Sequence, residues 1–338
     1  MTNIALLIAG ITIVLVTLYD LCKSTLSLAG AGPITRGVSG GVWGVARRLG
    51  YSLDMPLLLR APGPTLVLLL LLSWVLLFWS GWWLIFTGNP YSVVNSTTYQ
   101  PASLAERAYF VGYTLTTLGY GDYTPLQTPW KLASILCAIN GFTLFTLAIT
   151  YWLSIVSSVV KKRKLALMVS RLGETPIEIL ENTRGSGDFS ILGNKLENIL
   201  EDITEIGQQQ HAYPILHYYH TSNVKEALPV SLTKLYISLQ VVNFGCSSLS
   251  CMTRFEVTSA IATLDDFLAS SSGKVSTRRS ARVTTHVDDK LGFVGFDKSH
   301  SDILDHLETL PLVPALTAYL TKEGWQWKEV WRRKTCTS

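Results

Sequence analysis

The sequence predicts an all-α membrane protein with a mainly helical polar domain behind it, on three observations. Charged residues are 15% of the 338, and Asp, Glu, Lys and Arg are absent from Thr2 to Tyr19, from Ala61 to Ala105 and from Leu132 to Val160. A hydrocarbon core about 30 Å thick takes about 20 helical residues, so each run is a candidate span. Between the second and third runs stands a short capped helix leading into a glycine-bearing loop, Thr114-Leu-Thr-Thr-Leu-Gly-Tyr-Gly-Asp122. Beyond Leu165 the longer apolar patterns recur at helical spacing. The boundaries read from these shifts are 1–22, 23–63, 64–164 and 165–338.

Lys and Arg outnumber Asp and Glu by 11 to 4 up to Lys164, whereas the remainder holds 17 against 20. The net +4 is therefore a +7 front and a −3 back, and the basic excess lies beside apolar segments. That placement sets membrane orientation and does not signal nucleic acid. Cysteines at 22, 137, 246, 251 and 336 show no disulfide-framework spacing.

The first run, Ile4 to Tyr19, has no positive residue ahead of it, and Lys23, Arg36, Arg47, Arg48 and Arg60 follow with only Asp54 opposing. This reads as an anchor helix with its N-terminus outside rather than a cleaved signal peptide, and the loop after it as cytoplasmic. Within that loop Ile34, Val38, Val42, Val45 and Leu49 recur at helical spacing. The pattern suggests a helix lying at the membrane surface, although Gly37, Gly40, Gly41 and Gly44 weaken it. Pro62 and Pro64 open the outer helix, Thr65 to Thr87, whose far end carries Trp79, Trp82, Trp83 and Phe86. These read as an interfacial aromatic belt. Gly88 to Ala102 is a polar loop.

Ser103-Leu-Ala-Glu106 is a capping box, and the short helix it starts runs into the loop at Thr116. Irregular backbone at membrane depth is tolerated only where it is buried in protein or lines a wet path. Gly119 and Gly121 reach positive φ without a Cβ clash, which lets successive carbonyls turn to one side. The Thr117 hydroxyl and the carbonyls of Thr117, Leu118, Gly119, Tyr120 and Gly121 then form a column of oxygens able to replace the water shell of a cation. The helix before them points its negative end at that path.

At these residues the chain resembles the potassium channel pore-domain superfamily, of the two-helix and pore-loop type, over roughly residues 65 to 160. The resemblance implies an outer helix, pore helix, filter loop and inner helix, four chains around one axis, and K+ as the transported ion. It places Thr116, Asp122, Tyr109 and Phe110 in support of the filter. Leu118 stands where relatives often have valine, and Gly119-Tyr120-Gly121 accompanies potassium selectivity in that family. Gly141 falls where the family often has a hinge glycine, and close packing is the other reading of it.

After the filter, Thr128 and Pro129 start a long inner helix whose 29 uncharged residues, Leu132 to Val160, extend about 43 Å at ~1.5 Å each. Asn140, Thr143, Thr146, Thr150, Ser154 and Ser157 make one polar stripe fit to line a wet cavity. A gap-free match to the family instead turns Phe142, Phe145, Ile149 and Leu153 toward the axis. Lys161-Lys-Arg-Lys164 reads as the helix end, at the cytoplasmic headgroups.

Helical patterns follow at Ile191 to Ile206, Val230 to Val242, Arg254 to Ser270 and Ser301 to Leu320, separated by Gly185-Ser-Gly187 and the basic stretch Ser270 to Arg282. The glycine pair lacks the third glycine and preceding strand of a dinucleotide fingerprint, so no cofactor is expected. His211, His217, His220, Cys246 and Cys251 match no zinc spacing, and no metal centre is expected. No catalytic constellation is present, and what this domain binds is not written in it. No apolar segment carries Arg or Lys every third residue, which argues against a charge-bearing voltage sensor. The sequence thus predicts a homotetrameric potassium channel of the plasma membrane, in contact with lipid. Its rivals are a poorly selective cation channel and a membrane-anchored sensory protein with a vestigial pore.

Overall fold

The computed structural model describes residues 2–27, 30–52, 62–185, 189–221, 223–247, 249–272 and 296–332. Asp54, Arg60, Gly187, most of the Ser270 to Arg282 stretch and Cys336, all read above, lie outside the described residues. The first half contains α1 (Ile4–Leu26), α2 (Pro33–Ser52), α3 (Pro62–Thr87), β1 (Val94–Asn95), α4 (Leu104–Leu115), β2 (Tyr123–Thr124) and α5 (Thr128–Ser170). Helices α1, α3 and α5 are long and apolar enough to cross a membrane. The chain divides into two compact units, Met1–Val156 with Ala212–Ile215 and Ser157–His211 with Leu216–Ser338. The division falls inside α5, eight residues ahead of the limit read at Lys164.

In the first unit α1 runs antiparallel to α3. The Asn3 amide donates to the Gly88 carbonyl at 2.7 Å, and Asn89 Nδ2 donates to Thr2 Oγ1 at 3.1 Å. In the half nearer that end the two backbones nearly touch: a Cβ on Gly10 would stand 2.6 Å from the Gly81 carbonyl oxygen. Small residues at such a crossing supply the close packing that apolar surroundings cannot drive by themselves.

The far end of α1 carries Asp20, the first charge after the apolar run, and it is fully buried. Its carboxylate accepts from the Ile34 amide at 2.7 Å, the Thr35 amide at 3.3 Å, Thr35 Oγ1 at 2.8 Å and Trp74 Nε1 at 2.9 Å. Two of those donors are first-turn amides of α2, so Asp20 caps a helix other than its own and sets its charge at the positive end of that helix. Gly32 makes the approach possible, since a Cβ there would fall 2.1 Å from Asp20 Oδ1. The cap explains why a stretch with four glycines is helical after all.

The aromatic residues expected to form a belt divide, with two packed inward, Trp79 exposed and Trp83 half-buried. Trp82 and Phe86 are buried, and Trp79 and Trp83 donate their indole N–H groups to the Ala108 and Leu104 carbonyls of α4 at 2.8 and 3.0 Å.

The second unit holds the last turns of α5, then α6 (Pro176–Thr183), α7 (Ser190–Ala212), α8 (Leu228–Gly245), α9 (Cys251–Ser272), α10 (His300–Thr309), α11 (Val313–Lys322) and α12 (Trp327–Trp331), with 3-10 turns at Pro214–Tyr218 and Val224–Glu226. Helix α8 is buried over nearly its whole length, which its all-round apolar pattern requires. Three of the expected helical patterns fall in α7, α8 and α9. The fourth, Ser301 to Leu320, is two helices, because Pro311 and Pro314 withhold amides from a continuous ladder.

The basic run also departs from expectation. Helix α5 continues through Lys161–Lys164 to Ser170, and each basic side chain meets an acid of the same unit. Lys161 pairs with Glu205, Lys164 with Asp202 at 3.1 Å, Arg163 with Glu226 at 3.8 Å and Lys162 with Glu323 at 2.5 Å. The reading of this run as the end of the helix is therefore corrected: carboxylates of the same unit pair with its charges, and the helix continues to Ser170.

Near that buried pair, His217 is held well below its ordinary pKa, at about 3, first by burial and then by the charges of Lys322 and Lys162. The unfolded chain takes up this proton near pH 6.5 and the folded chain only near 3, so stability falls as pH drops through that interval. Thermal melts across it are expected to show a declining midpoint, and His217→Leu is expected to flatten the decline.

Candidate ion-conducting site

Helix α4 is fixed at its start by reciprocal bonds. The Ser103 amide donates to Glu106 Oε2 at 2.6 Å, and the Glu106 amide donates to Ser103 Oγ at 3.4 Å. Arg107, largely buried, donates from Nη2 to the Pro90 carbonyl at 2.8 Å. At the other end the Leu115 carbonyl lies against α5 in the notch left by Gly141. A Cβ on Gly141 would sit 1.7 Å from that oxygen.

The loop after α4 has an alternating backbone. Thr117, Gly119 and Gly121 have φ of 59°, 64° and 82°, while Leu118 and Tyr120 between them do not enter the left-handed region. The glycines were expected to do this. Thr117 was not, because a β-branched residue there is strained by about 1–3 kcal/mol. The amides of Leu118 and Gly119 turn back onto the Tyr113 carbonyl at 2.8 and 3.4 Å. Residues Thr116 to Asp122 are all exposed in the single chain, with Leu118 at 60% and Tyr120 at 66%.

Behind the loop stand aromatic rings. Tyr109 stacks on Tyr120 with centroids 6.3 Å apart and meets Tyr113 edge-on at 5.2 Å. Phe110 is buried between Phe86 and Tyr113, at 5.0 and 5.4 Å. Thr116 Oγ1 donates to the Gly112 carbonyl at 2.9 Å, and the Asp122 carbonyl accepts from the Ser96 amide at 2.9 Å. Strands β1 and β2 then pair Val94 with Thr124 and Asn95 with Tyr123, tying the polar loop to the exit of the filter segment.

On α5, Asn140 and Thr143 are half-buried while Thr146 and Thr150 are exposed. Phe142, Phe145, Ile149 and Leu153 are exposed as well. Leu144, Tyr151 and Ile155 are buried, and Tyr151 meets Trp74 of α3 edge-on at 6.2 Å. Phe145 and Ile149 line an apolar groove with Leu71 and Val75 of α3.

The residues that sequence reasoning missed are Tyr113, Tyr123 and Leu115. Tyr113 lies one helical turn after Tyr109 and so on the same face, a spacing that was available as a signal. For the place of Leu115 against Gly141 no local signal exists. Among the described residues no group of three or more His, Cys, Asp and Glu is placed to hold a metal ion.

A capped half-length helix ending in an alternating, exposed loop between two apolar helices defines the class: a pore-loop ion channel. Residues 65–158 match the family described as "Ion channel". Over 267 residues the chain is 33% identical to the "Uncharacterized membrane protein YdjJ" of Bacillus subtilis (strain 168), an alignment covering 79% of this chain and 78% of that one. The chain belongs to one family with that membrane protein, and its residues 65–158 form a domain of the ion-channel type. No solved structure matches it.

Proposed function

We propose that the chain is one of four identical subunits of a potassium-selective channel in the plasma membrane, with its N-terminus outside and the second unit in the cytoplasm. The observation that carries this is the alternation of φ at Thr117, Gly119 and Gly121 within an exposed Thr-Leu-Gly-Tyr-Gly run. Around a fourfold axis the carbonyls of Thr117, Leu118, Gly119, Tyr120 and Gly121 coordinate dehydrated K+. Tyr109, Phe110, Thr116 and Asp122 brace them. Purified protein in liposomes is expected to pass K+ in strong preference to Na+, with reversal potentials following the K+ gradient. Tyr120→Asp is expected to abolish the preference. Equal permeability in the unmodified protein refutes the selective reading.

The polar stripe of Asn140, Thr143, Thr146 and Thr150 is the face that lines the cavity. Supporting this, Phe145 and Ile149, though exposed, line the apolar groove beside Leu71 and Val75 of α3, off the polar stripe. A thiol reagent applied from the cytoplasmic side is expected to modify Thr146→Cys and spare Ile149→Cys. The reverse pattern gives the axis to the apolar face.

A further inference from the structure

We infer that Glu106, Tyr113 and Tyr123 are positioning residues that hold the filter segment in its conducting shape; this rests on the channel reading above. Tyr113 touches the segment twice. Its carbonyl accepts from the amides of Leu118 and Gly119 at 2.8 and 3.4 Å, and its hydroxyl donates to the Tyr123 carbonyl at 2.5 Å. The Tyr123 hydroxyl in turn donates to Glu106 Oε1 at 2.6 Å, while Glu106 Oε2 accepts from the Ser103 amide at 2.6 Å. One relay thus joins both ends of α4 to the residue that follows Asp122. From the other side, β1 holds the same residue through the Asn95–Tyr123 pair.

What lies between the two points of attachment is held by less, the Tyr109–Tyr120 ring contact and the bond from the Ser96 amide to the Asp122 carbonyl. Gly119 and Gly121 would meet nothing within 4 Å if they carried a Cβ, so no packing at those positions within the chain enforces their angles. Thr117 holds an angle it would leave if released. The alternation therefore depends on its attachments: Tyr113 at Leu118–Gly119, and the Tyr113–Tyr123–Glu106 relay at the exit. An ion bound among the carbonyls stabilises the same shape by mass action, because it binds that shape and not a relaxed one.

That linkage supplies the test. Tyr113→Phe and Tyr123→Phe keep the rings and remove one hydrogen bond each. Their flux in proteoliposomes at low K+ is expected to fall about tenfold, the shift that about 1.4 kcal/mol produces. It is expected to recover toward the unmodified level at high K+, with tetramer assembly and thermal midpoint unchanged. Glu106→Gln, which can serve only one of the two bonds Glu106 accepts, is expected to behave likewise. Unchanged flux at every K+ concentration overturns the inference. So does a loss that high K+ fails to restore, or one accompanied by loss of assembly, since either makes these residues merely structural. The unmodified protein separates the two levels: if it passes no ion the channel reading itself fails, and if it conducts while the variants match it only the relay fails.

Discussion

Replacing Lys162 with alanine is expected to destabilise the second unit by about 3–5 kcal/mol, the cost of leaving a buried charge without its partner. The Lys162 and Glu323 side chains are only 7% and 2% exposed, against 40% and 43% for Lys161 and Glu205 in the same run. Exposed pairs of that kind contribute about 0–1 kcal/mol, so Lys161→Ala is the matched control and is expected to be nearly silent. Lys162 Nζ also lies 3.5 Å from the Tyr219 carbonyl, so truncation leaves more than one group without its donor. The double variant Lys162→Met, Glu323→Leu removes both charges and is expected to recover most of the loss. Denaturant unfolding followed by circular dichroism measures all three against the unmodified protein. A Lys162→Ala midpoint equal to that of Lys161→Ala contradicts the argument.

The second large effect is expected at Gly141. Alanine there puts a methyl group 1.7 Å from the Leu115 carbonyl oxygen, a backbone atom at the end of α4 that has no rotamer through which to move away. Overpacking typically costs about 1–3 kcal/mol when neighbouring side chains can adjust, and this site lies at or beyond the top of that range. Gly141→Ala is expected to separate α4 from α5, with loss of the assembled oligomer in detergent and of all flux in liposomes. The hinge role implied by the family resemblance forecasts something else: intact assembly with altered opening. Size-exclusion chromatography with light scattering distinguishes the two before any current is recorded.

Much of the pore unit was legible because its signals are local. Ser103 and Glu106 announce a helix start at a fixed offset, the apolar runs announce spans by length, and glycines at 119 and 121 announce the angles they adopt. What was not legible depends on partners distant in sequence. Trp79 and Trp83 are legible as aromatic residues at the end of a span, but not as donors to the Ala108 and Leu104 carbonyls. Lys161 to Lys164 look like a stop until acids from α7, the turn at Val224–Glu226 and the end of α11 meet them. Thr117 in the left-handed region contradicts its propensity, as expected where tertiary structure overrides local preference. In the second unit the helical periodicity was sound, and only the prolines at 311 and 314 divided what the apolar pattern had joined.

The Asp20 carboxylate has an implication for how this architecture tolerates change. An apolar anchor is ordinarily interchangeable: any greasy segment of suitable length tethers a protein equally well. Here the first transmembrane passage supplies an acceptor that the start of the following helix and an indole on the next span both consume. Exchange of residues 4–26 for a generic hydrophobic leader, or insertion of even one residue between Asp20 and Thr35, strands those donors in a waterless environment. The segment is accordingly a fitted component of the pore unit, and chimaeras that borrow the channel without it inherit a defect at Trp74, midway along α3.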